Sequence, residues 1–218
     1  PDQPARLCHD LVGHELLTLD ALATLAERMP ASSVEYNLGK LPLGVRPEDT
    51  PSNGLTLGET IRTIETNGSW AVLKNVERDP AYGALLDAAL ADLEPIVKAA
   101  TGPMLHREAF IFLTSPGSVT PFHMDPEHNI LLQIMGTKVM TVFPARDEAL
   151  VPAQKSEDFH GGGHRNLVWQ DGFKARGTAF PLAPLLRKRG LPTGTVSARP
   201  ERQGLRRLIY RVMRKLGV

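Results

Sequence analysis

The chain changes its type of signal near residue 104, and that change restricts the folds open to it more than any other feature. Before it stand helix signals. Leu16 to Met29 reads as a helix, with Thr18 as N-cap, an apolar stripe of Leu19, Leu22, Leu25 and Ala26, and Pro30 as the stop. Thr56 and Glu59 form a capping box that opens a second helix to about Thr66. Asp79-Pro80 caps a third, expected to run through Ala100 with a bend at Pro95. Between these, residues 30–55 carry four Pro and three Gly and read as an extended loop. Asn67-Gly68 reads as a turn and Ser69 to Lys74 as a strand.

After the change come short β-rich runs: Glu108 to Thr114, Ile130 to Ile134, Lys138 to Phe143 and Thr178 to Leu182. Helices first and strands afterwards predict an α+β fold, an antiparallel sheet or barrel with helices packed outside it. The 218 residues suit one domain with an appendage. No apolar run approaches the roughly eighteen residues of a membrane span. Pro1 to Asp10 lacks the basic-then-apolar pattern of a secretory signal. Cys8 is the only cysteine, so an internal disulfide and a cysteine-based zinc site are excluded, and a reducing, cytoplasmic setting is expected.

Charge divides the chain at a second place. Residues 185–218 hold ten Lys or Arg against the single acid Glu201, a balance of +9, while residues 1–184 carry −8. Within the basic part, Gly204 to Leu216 places Leu205, Leu208, Ile209, Val212, Met213 and Leu216 at helical spacing, with arginines on the other face. Three partners suit such a segment: nucleic acid through its phosphates, an anionic membrane surface, or the acidic body or a second copy of the chain packed on the apolar stripe. The stripe favours the last of these, and a homodimer is one form of it. Only Tyr210 is aromatic there, so base stacking is not indicated.

The chemistry concentrates in residues 115–144, centred on His123-Met124-Asp125. Residues two apart in extended chain point to the same side, so this imidazole and this carboxylate can reach one ion. With a second imidazole they would make a 2-His-1-carboxylate triad, whose remaining positions stay open. Spacing alone decides little, because a chain with seven His meets His-x-Asp by chance in roughly one case in three.

The surroundings decide more. Thr120 lies three residues before His123, Asn129 four beyond Asp125, and Lys138 on the next strand. The Gly136-Thr137 turn, the Phe143-Pro144 strand end and the upstream strand Arg107 to Thr114 complete the pattern. The segment resembles the JmjC-type, cupin-like branch of the Fe(II)/2-oxoglutarate oxygenases, and is similar to its asparaginyl-hydroxylase-like and bacterial cupin-like members. The resemblance implies a double-stranded β-helix (cupin or jelly-roll) core with the N-terminal helices outside. It implies a domain over 1–184, helical to about 103 and barrel from about 104, which leaves 185–218 as a basic amphipathic C-terminal segment. It also implies Fe(II) on His123 and Asp125, and 2-oxoglutarate held by Thr120, Asn129 and Lys138. The implied reaction consumes O2 and 2-oxoglutarate, releases succinate and hydroxylates a prime substrate, most commonly a protein side chain.

The resemblance also implies another metal His on a strand after a Pro-Gly-Asp-like turn. Gly177 to Pro184 looks like the run-up to that turn, yet no His follows His164. Three readings stand: residues absent between Pro184 and Leu185, a chain lacking those strands, or His160 or His164 as a stand-in ligand. The His160 to His164 stretch looks like an insertion loop in similar proteins. A second functional class stays open, a cupin-like module that binds a ligand or partner without catalysis. His106 with Glu108, and His9 and His14 with Glu15, lack the flanking pattern and read as surface residues. Gly161 to Gly163 precede no helix carrying Lys-Ser/Thr, so a phosphate loop is not indicated.

Overall fold

The structure is a computed structural model that describes residues 9–38, 52–91, 93–125, 129–144 and 146–184. The basic segment 185–218 and the Pro184–Leu185 join lie outside the described residues. No helix among the described residues is long and apolar enough to cross a membrane. Those residues fall into two compact units, one within Gly13–Thr120 and one drawing on the residues before and after it.

The first unit holds α1 (Leu19–Arg28), β1 (Val34–Leu38), α2 (Leu57–Arg62), β2 (Ser69–Leu73), α3 (Pro80–Ala91), α4 (Glu94–Thr101) and β3 (Ile111–Thr114). Thr18 caps α1, its hydroxyl accepting from the Ala21 N–H at 3.3 Å. The stripe Leu22, Ala23, Leu25 and Ala26 is buried. The capping box of α2 is formed in full: the Thr56 hydroxyl accepts from the Glu59 N–H, and the Glu59 carboxylate accepts from the Thr56 N–H at 2.9 Å. The strands form an antiparallel sheet in the order β1-β2-β3, with Val34 opposite Leu73 and Leu73 opposite Ile111. Being central, β2 buries Ala71, Val72 and Leu73, which explains its continuous apolar run. Leu25, Ile61, Leu73, Tyr82 and Leu113 close the core, and the Tyr82 hydroxyl donates to the Leu16 carbonyl at 2.7 Å.

Three expectations are corrected in this unit. The loop expected over 30–55 contains β1, because Val34 to Leu38 finds the edge of β2 despite the Pro and Gly around it. Residues 39–51 of that stretch lie outside the described residues. The helix expected from Pro80 to Ala100 is two helices, not one bent helix. Pro95 would clash with a carbonyl one turn back, whereas in the first turn of α4 it gives up no hydrogen bond. The strand expected from Glu108 starts only at Ile111.

Asp79 caps α3, accepting from the Ala81 N–H at 3.0 Å, and takes the Arg28 guanidinium at 2.6 Å. Burial opposes its charge, but the Arg28 and Ala81 hydrogen bonds outweigh it and hold the carboxyl below its ordinary range. The folded chain therefore binds this proton less readily than the unfolded chain. The stabilisation is present above the ordinary carboxylate range and is lost as pH falls through the lowered value. Arg28→Ala is expected to move the midpoint of acid unfolding to higher pH, as circular dichroism would show.

The second unit holds β4 (Lys138–Val142), α5 (Ala153–His160) and β5 (Thr178–Leu182). β4 and β5 pair antiparallel, with Lys138 opposite Leu182 and Val142 opposite Thr178. Four rings, Phe122, Phe143, Trp169 and Phe173, meet edge to face with centroids 5.0 to 6.0 Å apart. Phe173 and Leu150 are buried beside exposed neighbours. Gly177, just before β5, packs tightly: a Cβ there would lie 2.5 Å from the Phe143 ring and 2.6 Å from the Thr141 methyl. The strand expected over Ile130 to Ile134 is not formed among the described residues. No ladder partner reaches it; Ile130 and Leu131 stay exposed, and the Gln133 amide folds back to donate to the Met135 carbonyl at 2.7 Å. The architecture of the described residues is thus mixed helices with two small antiparallel sheets.

Candidate functional site

The site begins with two short extended stretches. Phe122 to Met124 runs antiparallel to Arg165 to Leu167, through Met124 N–H to the Arg165 carbonyl (3.0 Å) and Leu167 N–H to the Phe122 carbonyl (2.8 Å). These bonds bracket a single bridge between His123 and Asn166. Alternation then sorts the side chains: Phe122 enters the aromatic cluster, and His123 turns the other way.

His123 donates from Nδ1 to the Pro121 carbonyl at 2.8 Å. That bond fixes the ring and leaves Nε2, which stands 3.5 Å from Asp125 Oδ2. The two side chains are 24% and 28% exposed, sheltered but reachable from solvent. Asn129 Nδ2 donates to the same Asp125 Oδ2 at 2.8 Å, and the Arg165 guanidinium donates to Asp125 Oδ1. The Asp125 carboxylate facing Nε2 favours the protonated imidazole and holds the His123 pKa above its usual range, against the desolvation that opposes it. The His123 imidazole, with Arg165 beside it, in turn holds Asp125 below the usual carboxylate range.

Of the residues singled out by sequence, His123, Asp125 and Asn129 therefore share one polar group, Asn129 by a hydrogen bond to Asp125 and His123 by an ion pair with it. Residues 126–128 between them lie outside the described residues. Lys138 opens β4, half-buried, and burial lowers its pKa. It lines a shallow depression with Thr137, Val139, Pro181, Leu182 and Ala183; His123 and Asp125 do not. Thr120 is exposed at the end of the first unit. His164 is exposed, and its Nδ1 accepts from the Asn166 N–H at 3.0 Å. His160 ends α5 with its ring 5.6 Å from that of Phe159.

An imidazole nitrogen and a carboxylate oxygen at this separation can share one divalent ion, and an N,O donor set suits Fe(II). No group of three or more His, Cys, Asp or Glu placed to hold a metal occurs among the described residues. Arg165 is the member that sequence reasoning missed. Its only signal is its place after the Gly-rich run in F-H-G-G-G-H-R-N, and nothing local says that this stretch returns to His123.

Compared with known proteins, residues 49–191 match one family model, described as a cupin-like domain. That span takes in α2 through β5 and every residue of the candidate group. No curated protein and no solved structure matches the chain.

Proposed function

This chain belongs to the cupin-like domain family, and from that premise we propose that it is an Fe(II)- and 2-oxoglutarate-dependent oxygenase that hydroxylates a prime substrate. The observation that carries the reading is the pairing of His123 Nε2 with Asp125 Oδ2 at 3.5 Å, the imidazole being fixed through Nδ1 by the Pro121 carbonyl. His123 and Asp125 supply two ligands to Fe(II), and a further ligand comes from outside this group. Thr120 and Lys138 receive a carboxylate of 2-oxoglutarate, and Asn129 orients Asp125 or the cosubstrate. When bound, Fe(II) and 2-oxoglutarate supply O2 activation coupled to loss of CO2 and formation of succinate. The chain's own residues hold the pieces in place. The Pro121 carbonyl fixes the imidazole, Asn129 and Arg165 fix the carboxylate, and the aromatic cluster anchors the strand that carries them. The same reading takes residues 1–184 as a domain built on a double-stranded β-helix core. The prime substrate class that fits the sequence resemblance is a protein side chain. The basic segment 185–218 then serves as a separate contact, to a second copy of the chain or to an anionic partner.

The test is succinate formation from 2-oxoglutarate by the full chain, loaded anaerobically with Fe(II) and then exposed to O2. Formation that needs all three components supports the proposal; none under any loading sinks it. Within this reading, Lys138→Met is expected to raise the 2-oxoglutarate concentration for half-maximal rate by about 10–100-fold, the size of one charge-assisted hydrogen bond. An unchanged concentration dependence removes Lys138 from the cosubstrate site.

One observation favours a second reading, a non-catalytic binding module: the Arg165 guanidinium already balances Asp125. That reading predicts no specific uptake of Fe(II) and no succinate.

A further inference from the structure

Asp125 divides its two oxygens between different partners. Oδ2 faces His123 Nε2 at 3.5 Å and accepts from Asn129, while Oδ1 accepts from Arg165. Arg165 does not reach Asp125 as a wandering surface side chain. Its backbone carbonyl is tied to the Met124 N–H at 3.0 Å, one residue from both His123 and Asp125. The Leu167 N–H to Phe122 carbonyl bond pins the same pair of stretches on the other side of the His123–Asn166 bridge. The guanidinium and the carboxylate are thus delivered by two backbone stretches held in register.

We propose that Arg165 is the positioning residue of the metal site: by occupying Oδ1 it turns Oδ2 toward His123 Nε2, so that a divalent ion meets both donors already aligned. The inference rests on the proposed metal-binding role of His123 and Asp125. A carboxylate free to rotate would have to be ordered as the ion binds, and that entropy would weaken binding. Hydrogen-bonding partners of metal ligands typically contribute 10–100-fold in affinity for this reason. Arginine suits the task better than lysine, because its planar guanidinium constrains the carboxylate's direction as well as its charge. Arg165 touches no reacting atom, so its effect belongs to ion affinity and ligand geometry.

The experiment uses Co(II) alone as a probe on the full chain, followed by visible absorption, whose band positions report ligand geometry. Wild type, Arg165→Ala and Arg165→Lys are titrated, and near-ultraviolet circular dichroism checks that each is folded. The Arg165 side chain is 48% exposed, so little stability is expected to hang on it. Arg165→Ala is expected to raise the Co(II) dissociation constant about 10–100-fold and to shift the bands. Arg165→Lys is expected to recover part of the affinity with the bands still displaced. Wild-type affinity and bands in folded Arg165→Ala overturn the inference and leave the metal site standing. Tighter binding by Arg165→Ala also overturns it, since the guanidinium would then act as a competitor of the ion. A wild-type chain that takes up no Co(II) overturns both the inference and the reading beneath it.

Discussion

Replacing His123 by alanine or Asp125 by asparagine is expected to lower succinate formation at least about 100-fold, beyond what loss of a mere supporting partner costs. The two changes remove different donors. His123→Ala deletes the Nε2 that faces Asp125 and leaves the Pro121 carbonyl to water. Asp125→Asn preserves shape and keeps one oxygen for Arg165, but removes the negative charge and presents an amide NH2 or its oxygen to Asn129 and His123. Because the asparagine is nearly isosteric, a large loss there speaks for charge and ligation over packing. Neither residue belongs to the core of the first unit, so unfolding of the β1-β2-β3 sheet serves as the control. Rates within a few-fold of wild type in both variants would remove the pair from the chemistry.

The second large effect is on stability. Leu73→Ala is expected to destabilise the first unit by about 2–5 kcal/mol, the range for truncating a buried leucine whose surroundings relax only in part. Leu73 is fully buried at the end of the central strand, opposite Val34 on one side and Ile111 on the other. Neither neighbouring strand can close the gap without giving up its ladder. Phe112, on β3 of the same sheet, is 56% exposed. Phe112→Ala is therefore expected to cost about 1 kcal/mol or less, as surface substitutions do. Urea unfolding followed by circular dichroism compares the two. A Leu73→Ala cost no larger than that of Phe112→Ala would contradict the central place given to β2.

The elements legible in the sequence are those with a local cause. The Thr56–Glu59 capping box needs only four residues, and it forms as read. Ser69 to Leu73 and Thr178 to Leu182 carry enough β-forming character to declare themselves. What failed to show depends on partners distant in the chain. β1 exists because β2 offers an edge to it, and the Pro and Gly around it hide that from any local reading. Ile130 to Ile134 has strand composition and finds no ladder, so composition misled there. Pro95 marked the right place on the α3–α4 stretch, but steric exclusion from a helix interior makes a break where a bend was expected.

The candidate site divides the same way. His123, Asp125 and Asn129 are close in sequence, and the structure brings them together around the Asp125 carboxylate. Arg165 joins from forty residues away, across α5 and the Gly-rich turn, so no motif could have announced it. Thr120 and Lys138 were singled out through family resemblance, and their roles rest on the proposed function.

Anaerobic equilibrium dialysis of the full chain against Fe(II), wild type beside Asp125→Asn, tests the metal site most directly. One Fe(II) retained per wild-type chain and none by Asp125→Asn is the expected result. Equal retention by the two proteins, or none by wild type, would contradict it.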